Sequence, residues 1–277
     1  MPNETPAAGA HAPEVVYEVR DHVAVVTLNR PHRRNAITTK MLRLLSAQLE
    51  EAEQDPEVRV LVLTGAGEGF CAGLDLKSLA AQDRSGGDSS AAMREAVADV
   101  GRAELPPVVL HEMSKPTIAA LNGAAAGYGF DLALGCDVRI AGTSTRLLAN
   151  FVTRGVVPES GGTWLLPRLV GYARAAELVF RGTAVGAEEA AALGLVSRVV
   201  ADEDVVPSAV ALAREMAGNA PLAVQAAKRL FRAGEHDGFE AHVHRVLGVT
   251  RELFATADFR EGVASFAERR APVFSGR

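Results

Sequence analysis

Aromatic side chains are scarce in this sequence, with 10 Phe, 3 Tyr and 1 Trp among 277 residues. No basic stripe with interleaved aromatics appears, and the net charge is −5 with a pI near 5.8. A nucleic-acid partner is therefore disfavoured. There are only two cysteines, Cys71 and Cys136, both in apolar or glycine-rich segments with no histidine close by in sequence. Neither a disulfide framework nor metal-ligand spacing can be built from them, so they read as free packing thiols of a cytoplasmic protein, with no metal site expected. No apolar run approaches the roughly 20 residues that span a bilayer, so no membrane partner is expected either. Residues 1–13 are small, polar and proline-containing without an apolar stretch, which predicts a disordered tail rather than a signal peptide. A lysine-bearing phosphate loop and a G-x-S-x-G elbow are also missing, which leaves nucleotide hydrolysis and serine hydrolysis without a motif.

What is present is the composition of a globular chain, 48% hydrophobic and 23% charged, long enough for one large domain with or without a smaller appendage. The stretch that organises it begins at Lys115-Pro116-Thr117-Ile118-Ala119-Ala120-Leu121-Asn122-Gly123 and continues through Ala126-Gly127-Tyr128-Gly129-Phe130-Asp131. An apolar β-prone run meeting three glycines and then the periodic Leu132-Ala133-Leu134 predicts a buried strand, a tight turn and a helix. Such a turn leaves backbone N–H groups unpaired at the positive end of a helix, and Gly127 and Gly129 let a ligand come close. Oxygen that gains negative charge in a reaction would be stabilised there by roughly 3 kcal/mol per well-placed donor. Asp131 stands beside the turn, where a carboxylate could move a proton.

The run Val58 to Thr64 predicts a second strand buried on both faces, and it empties into Gly65-Ala66-Gly67-Glu68-Gly69-Phe70-Cys71-Ala72-Gly73-Leu74-Asp75-Leu76-Lys77, a junction of the same design. Ahead of it, Val15 to Val19 and His22 to Leu28 read as paired strands. Thr38 reads as the N-cap of a helix running to about Gln54. The loop between them carries Arg30, Arg33 and Arg34, suited either to solvent or to a phosphate. Ala80 to Ser90 reads as a mobile loop, followed by a helix from about Ala91 to Met113. Short strands are expected at Val138 to Ala141 and Arg146 to Ala149, then a glycine-bearing junction from Phe151 to Trp164, with helices from about Thr163. Within that junction Glu159 is acidic in an apolar neighbourhood; it could cap a helix starting at Gly161 or act in chemistry. A last strand is expected over Gly194 to Val200. From about Val205 the pattern turns to helices: Val205 to Ala217, Leu222 to Arg232, Phe239 to Ala255 and Asp258 to Arg270.

The segments Leu28-Asn29-Arg30-Pro31 with Asn35-Ala36, Gly69 to Leu76, Ala119 to Gly123 with Cys136-Asp137, and Gly161-Gly162-Thr163 with Pro167-Arg168 resemble the crotonase family of enoyl-CoA hydratases and isomerases. The resemblance covers nearly the whole chain from about Val15. It implies an α/β fold, a crotonase-like spiral of repeated ββα units over residues 14–200, with a C-terminal α-helical trimerisation region over residues 201–277. It implies a homotrimer or dimer of trimers, and an acyl-CoA substrate whose CoA is part of the substrate rather than a cofactor, so no cofactor is expected. The carbonyl oxygen of the thioester would sit between the backbone N–H groups of Leu74 and Tyr128. That arrangement acidifies the neighbouring carbon by spreading charge into an enolate, and a carboxylate then shuttles protons or delivers water.

By the same resemblance Asp131 falls at the position of the first of two hydratase glutamates, while the second position holds Phe151, which transfers no proton. Glu159 falls where certain enoyl-CoA isomerases and the ring-epoxide isomerase of phenylacetate breakdown carry their acid. Asp131 and Glu159 are thus the catalytic candidates. Substrate and CoA contacts are carried to Arg33, Ala72, Asp75, Lys77, Gly129 and Phe151. Two reactions stay open, hydration of a 2-enoyl-CoA and migration of a double bond. A catalytically silent acyl-CoA-binding member, or another enolate reaction such as thioester hydrolysis, is the alternative.

Overall fold

The structure is a computed structural model that describes residues 13–75, 101 and 105–277. Lys77, the expected loop at 80–90 and most of the expected tail and of the helix at 91–113 lie outside the described residues.

Two sheets carry the fold. The larger contains β1 (Val15–Arg20), β2 (Val23–Leu28), β3 (Val60–Gly65), β5 (Thr117–Leu121), β7 (Val138–Gly142) and β10 (Arg198–Val200), in the order β1-β2-β3-β5-β7-β10. Only β1 and β2 pair antiparallel; every later pair is parallel. The smaller sheet runs β4 (Gly69–Cys71), β6 (Ala124–Ala126), β8 (Arg146–Leu148), β9 (Ala184–Gly186), with β4, β6 and β8 parallel. Each pair β3/β4, β5/β6 and β7/β8 gives one strand to each sheet before the chain turns on, which is the expected spiral of ββα units.

Period-two alternation explains why the large sheet can be covered on both faces. Leu61, Leu63, Ala119 and Leu121 face a core shared with the small sheet and with α1 (Thr39–Gln54), which contributes Met41, Leu45 and Leu49. The intervening Val60, Val62, Ile118 and Ala120 face α7 (Val205–Ala217), through its Ala209 and Ala213. Thr38 caps α1 by accepting from the Met41 amide at 3.2 Å.

Helices α2 (Pro106–Glu112) and α3 (Tyr128–Gly135) pack on each other, and α4 (Gly162–Val170), α5 (Tyr172–Arg181) and α6 (Ala187–Ala192) follow in the chain. After α7 come α8 (Pro221–Gly234), α9 (Phe239–Leu253) and α10 (Ala257–Glu268). Helix α8 is tied to the core by a buried cation: Lys228 Nζ donates to Asp137 Oδ2 at 2.5 Å and to the Lys115 carbonyl at 2.8 Å.

The strand-turn-helix junctions expected at 65–77 and 121–131 each contain an additional three-residue strand, β4 and β6. Each is short and bordered by glycine, so neither shows the alternation by which strands are read. Two side-chain clamps hold this region. Asn35 Nδ2 donates to the Ala66 and Gly69 carbonyls at 3.0 and 2.7 Å, and Asn122 Nδ2 donates to those of Gly65 and Gly67 at 2.7 and 2.8 Å.

Candidate active site

The parallel strands of the small sheet aim their carboxyl ends at one place, where ligands of parallel α/β sheets usually bind. Strand β4 delivers residues 72–75, β6 delivers Gly127 and Tyr128, and β8 delivers the segment from Asn150 to Glu159. These three loops line a cleft of about 310 Å³.

Leu74 and Tyr128 both line it. Ile37 and Leu74 form a parallel bridge in which the Ile37 amide donates to the Gly73 carbonyl at 2.8 Å and the Asp75 amide donates to the Ile37 carbonyl at 2.9 Å. That pattern engages the neighbours of Leu74 and turns its own N–H away from Ile37. Tyr128 opens α3, so its N–H has no partner within the helix. Among the described residues neither amide donates a hydrogen bond. The two turns are in contact: a methyl group at Gly73 would lie 2.8 Å from the Ala126 oxygen and 3.5 Å from the Tyr128 nitrogen. Gly73 has φ +93° and Gly127 φ +51°, conformations that only glycine adopts at low cost.

The acids divide sharply. Asp75 lines the cleft and is paired with Arg30, whose Nη1 and Nη2 both lie 3.2 Å from Oδ2. This removes Arg30 from the cations free to meet a phosphate. Glu159 lines the cleft, and desolvation raises its carboxyl above the ordinary glutamate range, opposed by its own backbone amide. Asp131 does not line the cleft among the described residues. It is fully buried behind Tyr128, where its Oδ2 accepts from the Ser160 amide at 3.0 Å. Burial pushes its carboxyl up to about 7, against the lowering effect of the Ser160 amide; the charge of Glu159 adds to the rise and the Gly162 amide opposes it. The acid that satisfies the start of α4 is thus Asp131, not Glu159. Asp131 Oδ1, the Tyr128 hydroxyl and the Ser160 hydroxyl are all buried without a hydrogen-bond partner among the described residues.

Of the remaining expected contacts, Arg33, Ala72 and Phe151 line the cleft. Gly129 does not; it packs against Cys71, whose carbonyl, Cβ and sulfur leave no room for a side chain there. Burial pushes both the Cys71 and Cys136 thiols up to about 12, so neither is poised as a nucleophile. Two polar lining residues escaped sequence reasoning, Asn150 and Arg154. Their only signal is that polar groups interrupt an otherwise apolar passage between Ala149 and Val157.

A family model described as Enoyl-CoA hydratase/isomerase matches residues 18–277. The chain belongs to the enoyl-CoA hydratase/isomerase family. It is 40% identical over 263 residues to a probable enoyl-CoA hydratase of Rhodobacter capsulatus, covering 94% of this chain and 97% of that one. It is 37% identical over 264 residues to the 1,2-epoxyphenylacetyl-CoA isomerase of Escherichia coli, covering 95% and 98%. Among solved structures, an enoyl-CoA hydratase from Bacillus anthracis superposes with a TM-score of 0.87 at 33% identity, over 96% of this chain and all of that one. In this enzyme of an acyl-CoA-acting family, Leu74 and Tyr128 both line the cleft with amides that donate to no group among the described residues.

Proposed function

We propose that this enzyme moves a double bond within an enoyl-CoA, with Glu159 as the proton carrier and the Leu74 and Tyr128 amides holding the thioester oxygen. One observation carries the proposal: of the two carboxylates lining the cleft among the described residues, Asp75 is engaged by Arg30 and only Glu159 has no ion-pair partner. In a 3-enoyl-CoA, Glu159 takes a proton from C2. The electron pair spreads onto the thioester oxygen between the two amides, which favour the enolate over the neutral ester. The same carboxyl returns the proton to C4 as the double bond settles between C2 and C3. Proton and electrons balance within the substrate, and the step asks for no redox group. Arg33 lines the cleft on the segment that pairs with residues 72–75, and its guanidinium would meet the CoA phosphates.

Hydration of a 2-enoyl-CoA is the second reading. Its support is the resemblance to hydratases that use two acids, and against it stands the full burial of Asp131 outside the cleft. Crotonyl-CoA and a 3-enoyl-CoA, followed by product mass and by absorbance of the conjugated thioester, separate the two. Conjugation without mass change supports the proposal; gain of water supports hydration. Binding without either change points to a silent member or another enolate reaction.

The assembly proposed with this activity is a homotrimer or a dimer of trimers. Its support is the apolar surface of the C-terminal helices, where Phe231, Phe239 and Phe266 are 78%, 86% and 88% exposed. Light scattering on the purified chain reads the mass directly.

A further inference from the structure

The order of strands in the small sheet assigns positions along the cleft. Because β6 lies between β4 and β8, the loop carrying Leu74 and Asp75 is on one side of the Gly127–Tyr128 turn, and the segment carrying Asn150 and Arg154 is on the other. Arg33 lines the first side. Arg154 lines the second, on the segment that also brings Phe151, Val156 and Glu159. The Arg154 guanidinium donates to the Asn150 carbonyl at 3.1 Å through Nη1 and has no carboxylate partner among the described residues. Asn150 is beside the oxyanion turn: its Oδ1 would be 3.6 Å from a methyl group at Gly127. No hydrogen bond engages its carboxamide among the described residues.

A guanidinium and a carboxamide with uncommitted donors, side by side on the wall that holds the proton carrier, form a receptor for anionic oxygen. We infer that Arg154 and Asn150 bind a carboxylate on the acyl group itself, so that the preferred substrates are CoA monoesters of dicarboxylic acids. This rests on the reading of the cleft as an acyl-CoA site, and it names the class of acyl group. Arg154 is exposed, so beside a bare hydrocarbon chain its donors stay in water and add nothing to binding, whereas a carboxylate there gains a charge-assisted hydrogen bond. The competing source of anionic oxygen is the CoA phosphates.

Saturated thioesters test this without any turnover, so the result is independent of which reaction the enzyme performs. Calorimetry on the full chain compares hexanoyl-CoA, the mono-CoA ester of adipic acid, and free CoA. The expected result is binding of the adipyl ester at least about tenfold tighter than hexanoyl-CoA, the factor that one charge-assisted hydrogen bond supplies. In Arg154→Leu that ratio falls to near one, while affinity for free CoA changes less than about twofold. Equal affinity of the wild-type protein for the two esters overturns the inference. So does a preference that survives in Arg154→Leu, or a loss shared equally by free CoA, which would assign Arg154 to the phosphates. Should Arg154→Leu fold poorly, Arg154→Gln and the wild-type ratio at raised salt read the same quantity. Isomerisation of a neutral 3-enoyl-CoA alongside equal binding would overturn this inference and leave the proposed reaction standing.

Discussion

The Ser160 amide donates to the Asp131 carboxylate at 3.0 Å, which joins the start of α3 to the start of α4 behind the cleft. An acid that stands next to the Gly127–Tyr128 turn in sequence is thereby engaged in holding the segment that carries Glu159.

Asp131→Asn keeps an acceptor for that amide and removes the charge. If Asp131 holds structure rather than carrying protons, turnover of a 3-enoyl-CoA falls by less than about tenfold, whereas a shuttling acid would cost about 10²–10⁴. The folded-state carboxyl is raised from 3.8 to about 7. Its favourable contribution to stability is therefore complete below about pH 4 and is lost as pH rises through about 7, a change on the order of 4 kcal/mol. Urea unfolding at pH 4, 6 and 8 should show this decline in the wild type and its near absence in Asp131→Asn.

Glu159 is raised by desolvation, so the acid limb of kcat/KM should lie above the ordinary glutamate range. Rates measured from pH 4 to 8 should rise with pH as the carboxylate forms, and Glu159→Gln should flatten that limb.

Gly73→Ala places a methyl 2.8 Å from the Ala126 oxygen at φ +93°. Strain of about 1–3 kcal/mol is expected, and displacement of the Leu74 amide should lower kcat about 10²–10³-fold. Circular dichroism alongside the assay separates local displacement from unfolding.

Asp137→Ala leaves the Lys228 cation buried without its carboxylate. A loss of about 3 kcal/mol is expected, near the low end for breaking a buried pair because Asp137 is partly exposed. Lys228→Met should cost less, since it removes the buried charge along with the pair. Denaturant midpoints of the two variants decide it.

The long elements were legible in the sequence. Val60 to Thr64 and Thr117 to Leu121 are continuous apolar runs, and Met41, Leu45 and Leu49 repeat at helical spacing, so β3, β5 and α1 follow from pattern alone. Strands β4, β6 and β9 were not legible: three residues carry no periodicity, and their pairing is set by partners that are distant in sequence. Gly127 marked one place where a backbone donor would be left open, whereas Gly129, read in the same way, packs against Cys71 outside the cleft. The burial of Asp131 was hidden, because it depends on how α4 packs against α3 and no local signal records that. Arg154 was hidden for a similar reason: an isolated arginine in a glycine-bearing loop reads as a solvated surface group until β8 places it beside β6.

The most direct measurement of the central claim is the initial rate at which a 3-enoyl-CoA becomes the conjugated 2-enoyl thioester, compared between the wild-type protein and Glu159→Gln at equal substrate binding. A fall of at least about a hundredfold in kcat, with affinity for CoA nearly unchanged, is the predicted result. A Glu159→Gln enzyme that conjugates the substrate within a few-fold of the wild-type rate would contradict the account.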